Sequence, residues 1–118
     1  MIALVGDIGG SRIKLAVARD GSILARRIEP VQAELPWQHR LLALAETWRT
    51  LVREAQIDFT TVDAIGVGFP SLVDSAHGRI LDEWGKFPGC ANFDLRSWAS
   101  RTLGKPLALE NDARAAWP

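Results

Sequence analysis

The sequence predicts a mixed α/β domain: a five-stranded sheet in which three antiparallel N-terminal strands lead into βα units flanked by helices. Three observations carry this. Two small-residue turns, Gly9-Gly10-Ser11 and Asp20-Gly21, separate three apolar or alternating runs at the N-terminus. A helical repeat of large apolar residues then extends from about Pro36 to Gln56. Short apolar runs, Val62 to Phe69 and Pro106 to Leu109, stand on either side of a second helical segment, as in βα units. At 118 residues and 47% hydrophobic, the chain is one domain's worth of protein, able to bury roughly 65% of its unfolded surface.

Taken in order, Ile2 to Val5 is a strand ending in Gly6-Asp7, and Ile13, Leu15 and Val17 alternate in the next. Ser22 to Ile28 is a third strand, which Glu29-Pro30 is expected to break. In the helix, Pro36 suits the first turn. Trp37, Leu41, Leu44, Trp48, Leu51, Val52 and Ala55 form the inward face, with both tryptophans as core anchors. Glu34, His39, Arg40, Glu46, Arg49, Arg53 and Glu54 are assigned mostly to the other faces. Val62 to Phe69 reads as a buried parallel strand, and Arg79 to Trp84 as a minor strand entered from His77-Gly78. Asp94 caps a helix that Gly104 stops near Leu103. After the Pro106 to Leu109 strand, Asn111-Asp112 opens a last helix, Ala113 to Trp117.

Composition excludes several function classes. Fourteen basic residues balance fourteen acidic ones, so the electrostatic footprint of a nucleic-acid binder is missing. Cys90 is the single cysteine, which excludes an internal disulfide and suits a reducing cytoplasm. His39, His77 and Cys90 lack zinc-ligand spacing. No apolar stretch is long enough to span a bilayer, and the N-terminus lacks a signal peptide's basic and apolar regions. A cytoplasmic protein with no membrane or nucleic-acid partner is the expectation.

The first turn carries the chemistry. Gly9 and Gly10 allow backbone amides to approach a phosphate, Ser11 adds a hydroxyl donor, and Asp7 is able to hold a metal ion through water. By itself the segment reads equally as a plain turn. It is neither a Walker loop nor a dinucleotide fingerprint, because both of those lead into a helix with different glycine spacing. In sheets of this kind ligands collect beyond the carboxyl ends of parallel strands. Those ends here are Gly68-Phe69-Pro70-Ser71 and Glu110-Asn111-Asp112, placed to share a cleft with the hairpin. Taken alone, Asn111-Asp112 reads also as a helix cap.

Four segments occur in order: GDIGGSRIK at 6–14, GVGFPSLVD at 66–74, WGKFPG at 84–89 and LENDARAA at 109–116. Together they resemble the ROK family of sugar kinases and related repressors, of the ribonuclease-H-like, actin-like ATPase fold, over essentially the whole chain. The resemblance implies an N-terminal lobe that binds the phosphates of ATP, with Mg2+, through Asp7, Gly9, Gly10, Ser11 and Arg12. It implies that Asn111 and Asp112 grip the sugar, with Pro70, Ser71 and Lys86 near it. Asp112 is then the general base, because the attacking hydroxyl must lose its proton as the phosphoryl group arrives. Glu110 is read as a flanking strand residue.

Departures from the family pattern bear on the sugar. Arg12 replaces a lysine, Ser71 a glycine, Lys86 an asparagine, Cys90 a tryptophan and Arg114 a second asparagine. A cation at 86 or 114 either narrows the pocket, selects an anionic or phosphorylated sugar, or points to solvent. Family members continue into a second lobe that carries most adenine and ribose contacts and usually a Cys/His zinc motif. The expectation is a single lobe over 1–118, inactive in isolation, with no zinc site of its own. The surface that would meet the second lobe is expected to support a homodimer. A repressor's sugar-sensing domain is the alternative, and the absence of a basic DNA-reading helix before the hairpin is read as favouring the kinase.

Overall fold

The computed structural model of the chain describes residues 1–32, 34–82 and 87–111. Its elements in order are β1 (Ile2–Ile8), β2 (Arg12–Arg19), β3 (Ser22–Pro30), α1 (Trp37–Glu54), a single 3-10 turn (Phe59–Thr61), β4 (Ala64–Gly68), β5 (Val73–Asp74), β6 (Arg79–Ile80), α2 (Leu95–Leu103) and β7 (Leu107–Glu110). Five strands form one mixed sheet in the order β3-β2-β1-β4-β7. The first three pair antiparallel, and β1, β4 and β7 run parallel. This is the mixed five-stranded architecture expected from the sequence.

Both parallel crossovers, β1 to β4 and β4 to β7, step the same way across the sheet. Right-handed connections therefore place α1 and α2 on one face. The Arg49 Nη2 hydrogen bond to the Thr102 carbonyl, at 2.8 Å, ties the two helices side by side. Strand alternation sends Leu4, Ile8, Ile13, Leu15, Val17, Ile65, Val67, Leu107 and Leu109 into that layer, against Trp48, Leu51 and Trp98. Each such side chain contributes about 1.5–3 kcal/mol when fully buried. Trp48 is wholly buried, and its indole N–H donates to the Val5 carbonyl at 3.0 Å. Gly6 makes room for that indole, because a Cβ there would lie 3.1 Å from the ring. Asp94 caps α2 as expected, accepting from the Ser97 amide and hydroxyl, each at 2.9 Å. The amide bond, then the hydroxyl, holds the Asp94 carboxyl below its ordinary range.

Four readings need correction. Glu29-Pro30 does not break β3, which continues to Pro30. The strand lies at the sheet edge, where a missing N–H costs no ladder bond. The minor strand spans only Arg79–Ile80, paired with an unforeseen partner, Val73–Asp74. β1 continues through Asp7 to Ile8, so Asp7 belongs to the ladder and the turn is only Gly9-Gly10-Ser11. Arg40, grouped with the residues expected mostly on the other faces of the helix, is 2% exposed. The last helix expected from Ala113 to Trp117 lies outside the described residues.

Candidate functional site

The hairpin is tight because of Gly9. Its amide donates to the Arg12 carbonyl at 2.9 Å, and a Cβ on Gly9 would meet that same oxygen at 2.9 Å. No other side chain fits without opening the turn. Gly10, Ser11 and Arg12 are exposed beyond it, and Asp7 is half-buried one ladder step below Ile8. Lys14 stands opposite Asp7 in the antiparallel register, placing a cation beside the carboxylate on one face. A cavity of about 430 Å³ is lined by Ser11, Arg12, Ile28, Glu29 and Pro30, on the β2–β3 side of the turn.

The parallel strands bring Pro70, Ser71 and Asn111 to the same end of the sheet. Asp7 is in register with Gly68, and Gly68 with Glu110. Neighbouring strands lie about 4.8 Å apart, so Asp7 and Glu110 are separated by about 10 Å across one face. Gly68 places no side chain between them. The Phe69 amide donates to the Glu110 carbonyl at 2.8 Å, which sets exposed Pro70 and half-buried Ser71 beside exposed Asn111. The Ser75 hydroxyl donates to Glu110 Oε2 at 3.1 Å, and Glu110 ends β7 as the strand residue expected. Asp112 and Lys86 lie outside the described residues. Among the described residues no group of three or more His, Cys, Asp or Glu could hold a metal ion. Asp7, on a strand end beside side-chain-free Gly68, suits a hydrated divalent cation held through water.

A second layer supports this edge, and the sequence reading missed part of it. Trp37, in the first turn of α1, packs edge-on against Phe69 at 6.1 Å and Phe93 at 5.9 Å, and lies 5.7 Å from Phe87. Its amide donates to the Pro88 carbonyl at 3.0 Å. One turn on, Arg40 donates from Nη2 to the Val31 carbonyl at 2.9 Å, with its guanidinium 5.8 Å from the centre of the Phe87 ring. Burial holds the Arg40 pKa below its usual value, and the Glu29 carboxylate opposes that shift. Glu29 Oε1, Arg40 Nε and Trp37 Nε1 are buried without a hydrogen-bond partner among the described residues. Phe87 itself is fully buried with φ +52°, a left-handed conformation uncommon for a bulky residue. The faint signal for Arg40 was its place one turn after Trp37 on the same helix stripe.

On the far side, Arg96 donates to the carbonyls of Ser75, Ala76 and Leu107. It thereby fixes the β5–β6 hairpin against α2 and β7. Gly78, at φ +67°, lies so close that a Cβ would be 2.6 Å from the Arg96 Cβ. His77 Nδ1 lies 2.7 Å from Asp74 Oδ2, and that bond holds the Asp74 carboxyl below its ordinary range.

The sheet order and the glycine hairpin define the actin-like ATPase fold. The chain belongs to the ROK family, whose profile matches residues 4–118. It is 27% identical to an N-acetylmannosamine kinase of Haemophilus influenzae over 118 residues, covering 98% of this chain and 36% of that protein. It superposes on the ROK hexokinase of Thermus thermophilus with a TM-score of 0.77 at 29% identity, over 93% of this chain and 34% of that one. A ROK family transcriptional regulator, a homologue of the E. coli MLC protein, shares the fold with a TM-score of 0.78 at 23% identity, over 97% of this chain and 28% of that one. The chain thus spans about a third of the length of the relatives it matches. No helix among the described residues is long and apolar enough to cross a membrane.

Proposed function

We propose that this chain is the phosphate- and sugar-gripping lobe of an ATP-dependent kinase acting on a hexose or N-acetylhexosamine. The observation that carries the reading is the register Asp7–Gly68–Glu110. It brings the glycine hairpin, the Pro70-Ser71 corner and Asn111 to one edge of one sheet. Similarity to a hexokinase and to an N-acetylmannosamine kinase supports the substrate class.

In this account the Gly9 amide holds the turn shut on the Arg12 carbonyl, the backbone that follows at Gly10 and Ser11 and the Ser11 hydroxyl cradle the terminal phosphates, and Arg12 offsets their charge. Mg2+, held through water at Asp7, supplies further charge neutralisation when bound. Asn111, Pro70, Ser71 and Lys86 hold and orient the sugar. Asp112 takes the proton of the attacking hydroxyl as its oxygen bonds to the transferred phosphorus and the bond to the departing diphosphate breaks. Exclusion of water from this centre requires closure by a second lobe. The 118-residue chain alone is therefore expected to show little or no turnover. A phosphorylation assay across hexoses and N-acetylhexosamines tests this. Robust turnover that Asp112→Asn abolishes would overturn the inactive-lobe part and confirm the base.

The shared fold with a transcriptional regulator supports a second reading, a sugar sensor without catalysis. The two readings separate on ATP. A sensor binds sugar but leaves the hairpin amides unmoved by MgATP, whereas the kinase lobe responds at both places.

A further inference from the structure

We infer that Arg40 is a positioning residue that couples the phosphate hairpin to the loop following it in space, Phe87 to Cys90. The link is continuous and short. The Val31 amide donates to the Ser11 carbonyl at 3.1 Å, the Val31 carbonyl accepts from Arg40 Nη2 at 2.9 Å, and the guanidinium faces the Phe87 ring at 5.8 Å. Beyond the ring, the Cys90 amide donates to the Phe87 carbonyl at 3.1 Å, and the Trp37 amide to the Pro88 carbonyl at 3.0 Å. One buried side chain thus touches Val31, the residue that follows β3 and braces the donor hairpin, and the segment that the kinase reading sets beside the sugar.

Packing alone does not explain a cation here. Arg40 is 2% exposed, and its Nε has no hydrogen-bond partner among the described residues. Buried charges of this sort are often replaceable by apolar residues at no loss of stability. What the guanidinium supplies is direction: a fork that holds a carbonyl on one side and a ring face on the other. The ring it holds belongs to a residue in a left-handed backbone conformation, and such conformations persist where surroundings over-determine them. Geometry between donor and acceptor segments matters for phosphoryl transfer, because misplacement by about an ångström costs orders of magnitude in rate.

The coupling itself is independent of the kinase reading, but its role in phosphoryl transfer rests on it, and the experiment separates the two. Amide hydrogen exchange is measured on the ligand-free 118-residue chain and on Arg40→Met, Arg40→Lys and Phe87→Leu. Arg40→Met should speed exchange about tenfold or more at Val31, Trp37 and Cys90 together, while Ile65, bonded to the Pro106 carbonyl, stays within about twofold. Arg40→Lys, which keeps the charge, should recover most of the protection at Val31. Phe87→Leu leaves the Arg40–Val31 bond in place and serves if Arg40→Met fails to fold; it should still speed Val31 by about threefold. A Val31 amide indifferent to Phe87→Leu, or a parallel rise at Ile65 in every variant, overturns the coupling. In a second arm, MgATP added to the unmodified chain should slow exchange at Trp37 and Cys90 as well as in the hairpin, and Arg40→Met should abolish only the distant effect. No MgATP effect anywhere would count against the kinase reading while the ligand-free result stands.

Discussion

Replacing Gly9 with alanine probes the hairpin most sharply. The added methyl carbon would lie 2.9 Å from the Arg12 carbonyl oxygen, whereas ordinary contact begins at 3.4 Å, so the two must separate by 3.4 − 2.9 = 0.5 Å. That oxygen is also the acceptor for the Gly9 amide at 2.9 Å. The displacement stretches this bond toward the limit of hydrogen bonding. Part of a hydrogen bond, worth about 1 kcal/mol, is lost, and overpacking adds about 1–2 kcal/mol, for a total of about 2 kcal/mol. For a chain of this size that lowers Tm by about 8 °C. Calorimetry reads the stability, and 15N-resolved spectra read the Gly9 and Arg12 amides. MgATP affinity should fall about tenfold, since the same turn shapes the phosphate cradle. Gly21→Ala is the control, because a Cβ there meets nothing within 4 Å and only its φ of +84° is strained. It should cost about 1 kcal/mol without touching MgATP. A Gly9→Ala chain with parental Tm and an unmoved Arg12 amide would refute the reasoning.

The remaining predictions concern the scaffold. Trp48→Phe removes the indole donor to the Val5 carbonyl and leaves part of a fully buried volume empty; it should cost about 2–3 kcal/mol, read as a Tm lower by about 10 °C. Asp94→Ala removes the α2 cap and should cost about 1 kcal/mol in urea unfolding at pH 7. Asp58, Asp74 and Asp94 are each held below the ordinary carboxyl value of 3.8. The stability they contribute is therefore fully present above that value and lost as pH falls through their lower folded values. Unfolding followed from pH 7 to pH 2 should show stability falling below about pH 4, by less in Asp94→Ala, which has already lost one of these groups.

Much of the sheet was legible because its punctuation is local. Gly9-Gly10-Ser11 and Asp20-Gly21 force turns wherever they occur, and the α1 stripe from Trp37 to Val52 repeats often enough to announce a helix. Asp94 and Gly104 mark the ends of α2 through cap chemistry that needs no tertiary context. What escaped depends on neighbours distant in sequence. Glu29-Pro30 looks like a break until β3 is known to be the edge strand. Val73–Asp74 is too short for any periodicity, and its pairing with Arg79–Ile80 is visible only in three dimensions. Arg40 carries a charge, which on a helix signals solvent; its burial follows from Phe87, Val31 and Glu29 closing over it. At the site, the motif letters picked out Asp7, Gly9, Gly10, Ser11, Arg12, Pro70, Ser71 and Asn111, and the parallel register brings them to one edge. The platform of Trp37 and Arg40 beneath them carries no motif.

The central claim is that the hairpin is a phosphate site and the adjoining strand ends a sugar site on one edge of one sheet. The most direct test is a residue-by-residue 15N titration of this 13.0 kDa chain, first with MgATP and then with N-acetylmannosamine or glucose. The account predicts that MgATP moves the amides of Gly9, Gly10, Ser11 and Arg12, and that sugar moves those of Phe69, Ser71 and Asn111, with Asp7→Asn weakening the first set alone. Saturating ligand that leaves both sets unmoved, or that shifts amides on the outer face of α1 instead, would contradict it.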